Sequence, residues 1–231
     1  MTRRYFVPDL PLLGGLVSLP EAEAQHASRV MRVQVGDDLI LFDGQGNEAT
    51  ASFVQVSRKD CQCQALAAQQ MDREPVRDVH LAVALPKPDR ARELIERLTE
   101  IGVKSLTPLI ADRTQRPPTE SLLAKLRRGV VEACKQSGRN QLLDLHAPMR
   151  SDAFFESCEQ GTRWIAHPAV DDVVRAADES GCFTVAIGPE GGWTGDEVQQ
   201  ATSNGFRAID LGPRVYRIET AATVIASILV T

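Results

Sequence analysis

Two short stretches near the end of the chain hold the residue types best suited to binding a ligand and acting on it. Gly188-Pro189-Glu190-Gly191-Gly192 directly follows the apolar run Val185-Ala186-Ile187. Thr194-Gly195-Asp196-Glu197 comes next with the spacing of a capping box, Thr194 as N-cap and Glu197 at the third helical position. A buried strand, a glycine loop and a helix start let a ligand approach the backbone, whose N–H groups can donate to it. The same pattern serves equally well as a tight turn without a ligand. A second stretch adds to the case. Ile209-Asp210-Leu211 reads as another short strand, ended by Gly212-Pro213-Arg214 and followed by Val215-Tyr216-Arg217-Ile218-Glu219-Thr220. Two glycine-proline loops at the carboxyl ends of two strands form a candidate pocket, with Arg214 and Arg217 beside it. A buried arginine without a partner is costly, so Glu219 or a ligand should pair with one of them.

Other chemistries find little support. No G-x-G-x-x-G follows a first strand, and no Walker loop, G-x-S-x-G or H-E-x-x-H occurs. Gly44 and Gly46 lie between hairpin strands and read as a turn. The five cysteines are odd in number and form no C-x-x-C pair, which argues against a disulfide framework or a zinc site and fits a reducing cytosol. The four histidines are too scattered for a metal cluster, so no metal is expected.

The elements that must position these loops follow two grammars. Residues 1–72 read as mostly β, a small barrel: strands at Arg4–Val7, Asp38–Phe42, Ala49–Val56 and Lys59–Leu66, with a short helix over Pro20–Arg32. Met71–Arg77 is polar, contains Pro75 and marks the boundary. Residues 73–231 alternate strands and helices, which predicts a parallel sheet covered on both faces. Strands are expected at Val79–Leu85, Leu106–Ala111, near Leu142–Leu145, at Arg163–Ala166 and at Thr184–Ile187. Pro88 opens a helix to Ile101 that Gly102 ends, and Thr119–Ser137 forms a longer one. Ala221–Val230 is apolar nearly all round and must be buried.

Arg3 and Arg4 before the apolar Leu10–Leu19 stretch resemble a signal peptide. Asp9, Pro11, Gly14 and Gly15 break that run, so export is not expected. No run of about 20 apolar residues exists to span a membrane. The net charge of −5 speaks against a wholly basic nucleic-acid binder, but the charge is uneven. Residues 85–140 hold 12 Lys/Arg against 7 Asp/Glu, whereas residues 141–231 hold 6 against 13. Phosphate contacts need local positive surface rather than a basic chain, although such charges also simply solvate helix faces.

Taken together, Gly188–Gly192, Leu211-Gly212-Pro213-Arg214, and Arg217 with Glu219-Thr220 resemble the SPOUT class of methyltransferases. Within that class the chain is similar to the ribosomal RNA small subunit methyltransferase E family. Glu96–Val103, Leu106–Thr114, Glu132–Asn140, Arg29–Arg32 and Leu41–Gly44 match in the same order, so the resemblance spans nearly the whole chain. It implies a PUA-like RNA-binding barrel, then a parallel α/β domain with a deep C-terminal trefoil knot. It further implies a homodimer in the cytoplasm and methylation of uridine N3 in 16S rRNA, within the small ribosomal subunit. S-adenosylmethionine would be held by His167, Ile187, Gly188, Pro189, Glu190, Gly191, Gly192, Leu211, Gly212, Arg214, Val215 and Thr220. Arg217, Arg139 and Glu219 would serve catalysis; Arg3, Arg4, Arg29, Arg32, Arg113 and Arg116 would grip RNA. Two other readings stay open: a knotted relative acting on a transfer-RNA ribose oxygen, and an RNA-binding relative without activity.

Overall fold

The computed structural model describes residues 3–58, 60–159, 161–167 and 181–230. The chain divides into two compact units, Met1–Glu74 with Val131–Leu142, and Pro75–Val130 with Leu143–Thr231.

The first unit carries β1 (Arg3–Phe6), β2 (Gly15–Ser18), α1 (Glu21–Gln25), β3 (Asp38–Phe42), β4 (Asn47–Val56), β5 (Cys61–Ala65) and β6 (Gln69–Gln70). They form a mixed sheet in the order β1-β3-β4-β5-β2, with β6 beside β4 and only β1/β3 parallel. Alternation along β4 puts Ala49, Ala51 and Phe53 into a core with Tyr5, Leu39, Leu41 and Val17. Lys59 of the expected Lys59–Leu66 strand lies outside the described residues. The expected Pro20–Arg32 helix is α1 continued by a π-helical turn over His26–Val30. It stops where Arg32 takes φ +50°, a left-handed conformation rare for a residue with a side chain.

The second unit carries β7 (Asp78–Val83), α2 (Pro88–Ile101), β8 (Ser105–Ile110), α3 (Glu120–Ser137), β9 (Asp144–Leu145), β10 (Met149–Arg150) and α4 (Ser151–Ser157). After these come β11 (Thr162–Ala166), β12 (Cys182–Ile187), α5 (Gly195–Ser203), β13 (Arg207–Ile209) and α6 (Ile218–Val230). The last residues of α3, from Val131, belong to the first unit. The sheet is parallel throughout, in the order β10-β8-β7-β12-β11-β13 with β9 also on β8. Its central strands β7, β8 and β12 are almost continuously buried, as strands covered on both faces must be. α2 runs from a proline in its first turn to Gly102 at φ +101°, and buries Ala91, Leu94, Ile95 and Leu98 along one stripe. α6 packs on α2, β7 and β12 through Ala222, Ile225, Ala226 and Leu229.

One carboxylate in each unit gathers several donors. Glu197, 4% exposed, accepts hydrogen bonds from the Thr194 N–H (2.9 Å), the Asp112 N–H (3.0 Å) and the Ser151 hydroxyl (2.9 Å). The Glu197 N–H donates back to the Thr194 hydroxyl, which completes the capping box. Burial pushes the Glu197 carboxyl up, but these hydrogen bonds outweigh it and hold the group below its ordinary value. Glu48 accepts from Arg4, Arg73 and Asn140, and although burial opposes ionisation these donors bring its carboxyl down to about 2.

Both carboxyls are depressed in the folded state, so each contributes stability that is complete above about pH 4.5 and lost as pH falls through the lowered folded value. Urea denaturation is expected to show wild-type stability falling below pH 4.5, and Glu48→Gln to flatten part of that fall. Glu197→Ala leaves three donors without an acceptor, the Ser151 hydroxyl among them buried, and should cost about 1–3 kcal/mol at neutral pH.

Candidate active site

The site is set by strand register. Ala166 of β11 lies opposite Ile187 of β12 on one side and Ile209 of β13 on the other. Three neighbouring parallel strands therefore end in one row, the place where open α/β sheets bind ligands. A cavity of about 570 Å³ opens there, within the range of small-molecule sites.

The first loop is fastened from below and from the side. Gly188 lies flat on the Trp193 indole; a Cβ at Gly188 would come within 2.8 Å of it. Trp193 is held in turn: its Nε1 donates to the Ala166 carbonyl (3.0 Å), and its ring packs on Phe155, which meets Phe154 and Phe206. Gly192, at φ +71°, closes the turn by donating to the Pro189 carbonyl at 2.8 Å. Arg113 donates to the carbonyls of Gly191 (2.8 Å) and Trp193 (3.3 Å). In the second loop, Gly212 at φ +103° donates its N–H to the Asp210 carboxylate at 3.0 Å. This side-chain turn ends β13 at Ile209, two residues before the strand end expected at Leu211.

The structure brings together most of the residues expected to hold a cofactor. His167, Ile187, Gly188, Pro189, Glu190, Gly191, Gly192, Leu211, Arg214 and Val215 all line the cavity, as does Arg217. His167 follows β11 and its N–H donates to the Ile209 carbonyl at 2.9 Å. Gly212 and Thr220 lie between lining residues without being part of the wall. Glu219 stands one residue beyond the lining residue Ile218, is 6% exposed, and is ion-paired with Arg90 at 3.7 Å rather than with Arg217. Arg139 belongs to the first unit, 6% exposed, with its guanidinium on Glu74 at 3.0 Å. That ion pair accounts for its burial, and Arg139 is not part of the cavity wall.

The arginines expected to grip RNA fall into two sets. Arg29, Arg32 and Arg116 are exposed. Arg3 is paired with Asp37 at 2.7 Å, and Arg4 is largely buried between Glu48, Asn140 and the Phe42 ring. Arg113 is exposed but committed to the glycine loop. Arg4 therefore offers little surface to a phosphate. Sequence reasoning missed Arg90 and Trp193 in the wall. Neither carries a local signal: Arg90 sits in the first turn of α2, about 100 residues from the loops it faces, and Trp193 reads as part of a helix start.

Gly188→Ala is expected to cost about 1–3 kcal/mol by urea denaturation, because the buried indole must shift, and to alter tryptophan fluorescence. Gly195→Ala, which meets nothing within 4 Å, serves as the control and should leave both unchanged.

Residues 72–230 match the family model described as RNA methyltransferase domain, and residues 19–66 match the RNA methyltransferase PUA domain. The chain is 31% identical to the ribosomal RNA small subunit methyltransferase E of Synechocystis over 97% of its own length and 76% of that protein. It is 28% identical to the Bacillus subtilis enzyme of the same name, over 88% of this chain and 85% of that one. Among solved structures, a Legionella pneumophila methyltransferase with the bound cofactor SAM superposes with TM-score 0.91 and 32% identity, covering 99% of this chain and 96% of that one. The ribosomal RNA small subunit methyltransferase E of Neisseria gonorrhoeae, bound to S-adenosyl methionine, gives 0.91 and 28%, covering 98% and 96%. On these grounds, with both units matched in order and the strand-end cavity in place, the chain belongs to the ribosomal RNA small subunit methyltransferase E family.

Proposed function

We propose that this protein transfers a methyl group from S-adenosylmethionine to N3 of a uridine in 16S rRNA. The observation that carries the reading is the strand-end cavity, which sets apolar Ile187, Ile209 and Ile218 beside two glycine turns and an arginine, Arg217. The residues fit such a cofactor. Gly188 and Gly191 let Trp193 and Arg113 pack closely on the loop, and the isoleucines offer apolar walls for a purine ring. Ile187, Gly188, Gly191, Leu211, Gly212 and Val215 would hold its adenosine portion. When bound, it supplies a methyl group on a sulfonium, an electrophile needing only an aligned nucleophile.

What the protein adds is position and charge. Uracil N3 carries a weakly acidic proton that must leave before or during attack. A cation close to the uracil carbonyls stabilises the anion that results. Arg217 is exposed at the cavity wall and has no ion pair among the described residues, which supports this role, with Arg214 beside it. Glu219 lies buried behind the wall, paired with Arg90. Arg29, Arg32 and Arg116, exposed on their units, support electrostatic contact with RNA phosphates. The trefoil knot, the homodimer, the domain boundary at residue 72 and the cytoplasmic location belong to the same proposal. Return of α6 onto β7 and β12, after the chain has reached β13, supports the knot.

Incubation with labelled S-adenosylmethionine and small ribosomal subunits lacking the modification should yield N3-methyluridine by nucleoside mass spectrometry. Arg217→Ala should lower turnover by roughly 10²–10³-fold. Absence of product from the wild type, or normal turnover in the variant, would reject the substrate or the role respectively. In a filter-binding assay, Arg29→Ala/Arg32→Ala should weaken RNA binding and flatten its dependence on salt by about two charges' worth.

A further inference from the structure

We propose that Arg90 is a positioning residue for the methyl transfer, holding one carboxylate from each of the two motif loops. It rests on the proposed function of the same cavity. Arg90 lies in the first turn of α2 and forms part of the cavity wall. Its Nη1 donates to Glu190 Oε1 at 3.2 Å, and its Nε stands 3.7 Å from Glu219 Oε1. Glu190 comes from the loop after β12, whereas Glu219 is the second residue of α6. One guanidinium thus joins two segments that the sequence separates by nearly thirty residues. A lysine, a single point charge without the planar fork, would not span the two carboxylates as well.

The consequence falls on Arg217. Glu219 is 6% exposed, and its Oε2 has no hydrogen-bond partner among the described residues. A buried carboxylate in that state needs a cation nearby or it gives up its charge. Arg90 is the cation that the structure supplies, and the start of α6 adds the positive end of a helix. Arg217 stands two residues before Glu219 and also lines the cavity. With Arg90 as the ion-pair partner of Glu219, Arg217 stays exposed at the wall, where an anionic uracil could meet it. Without Arg90, Glu219 would draw Arg217 inward or become protonated. Glu190 would also lose a partner, but Trp193 and Arg113 would still hold the glycine loop, so it is the arginine that would be misplaced.

Five proteins test this: wild type, Arg90→Ala, Arg90→Lys, Glu219→Gln and Arg90→Ala/Glu219→Gln. Thermal unfolding first confirms that each is folded. Calorimetry then gives the affinity for S-adenosylmethionine, and steady-state methyl transfer at saturating substrate gives kcat. We expect Arg90→Ala to lower kcat by at least about tenfold while the cofactor Kd moves by less than about fivefold, since Arg90 acts through its neighbours. Arg90→Lys, which keeps the charge but not the fork, should recover only part of that loss. The double variant should lose at least about tenfold less than the product of the two single losses, the signature of coupled residues. Multiplicative losses, a kcat within about twofold of wild type, or a loss confined to the cofactor Kd would each overturn the positioning role. A wild type that binds the cofactor but methylates no uridine N3 would instead overturn the substrate reading on which the proposal rests.

Discussion

The register of three strands is the constraint from which the site follows. β11 pairs with β12 and β13 so that Ala166, Ile187 and Ile209 form one row. A shift of one residue would turn every side chain to the opposite face and separate the loops that leave those ends. Because β12 is buried from Phe183 to Ile187, that slip would expose apolar residues on both faces, so the core itself fixes the register. The cavity is then the space left where the chain must turn twice, at Gly188 and at Gly212, against the same row.

A register places the loops but does not shape them. Shape comes from polar groups gathered behind them. Trp193 fills the space under Gly188 and ties its own nitrogen to the Ala166 carbonyl, so the floor of the loop is bonded to the row it departs from. Arg113, from the turn after β8, holds the far side of the loop by two carbonyls. Glu197 then anchors that same β8 turn through the Asp112 N–H and the start of α4 through Ser151. The glycine loop is therefore clamped by elements on either side of the sheet. A loop so held is pre-organised, and a ligand entering it pays little to order its backbone.

How much of this the sequence discloses depends on whether the cause is local. α2 was legible to both ends because Pro88 and Gly102 each act on their own backbone, through a fixed φ and a left-handed cap. The capping box of α5 was legible for the same reason, from two residues three apart. The further duties of Glu197 were not, since Asp112 and Ser151 reach it only after folding. The two-residue strands β6 and β10 are too short for any periodicity, and β2 hides in a stretch broken by Gly14 and Gly15. At the site, the glycine turns announced themselves by composition. The partner of Glu219 did not: sequence proximity favours Arg217, whereas packing of α6 on α2 delivers Arg90.

That exchange of partners bears on the charge of the whole unit. Residues 141–231 are strongly acidic, a poor field for attracting RNA. Within this segment the cavity nevertheless keeps Arg214 and Arg217 exposed at its wall, and Arg90 enters from the cationic segment before it. The carboxylates near the site are the ones given other work: Glu219 and Glu190 face Arg90, Asp210 accepts the Gly212 N–H, and Glu197 caps α5. Each of these anions faces a donor, with Arg90 serving two of them. Local positive surface is produced by committing the negative groups rather than by excess of positive ones, which lets an acidic domain present a cationic mouth. Such an arrangement is sensitive to the loss of any one committed donor, because a released carboxylate finds its nearest cation in the site itself.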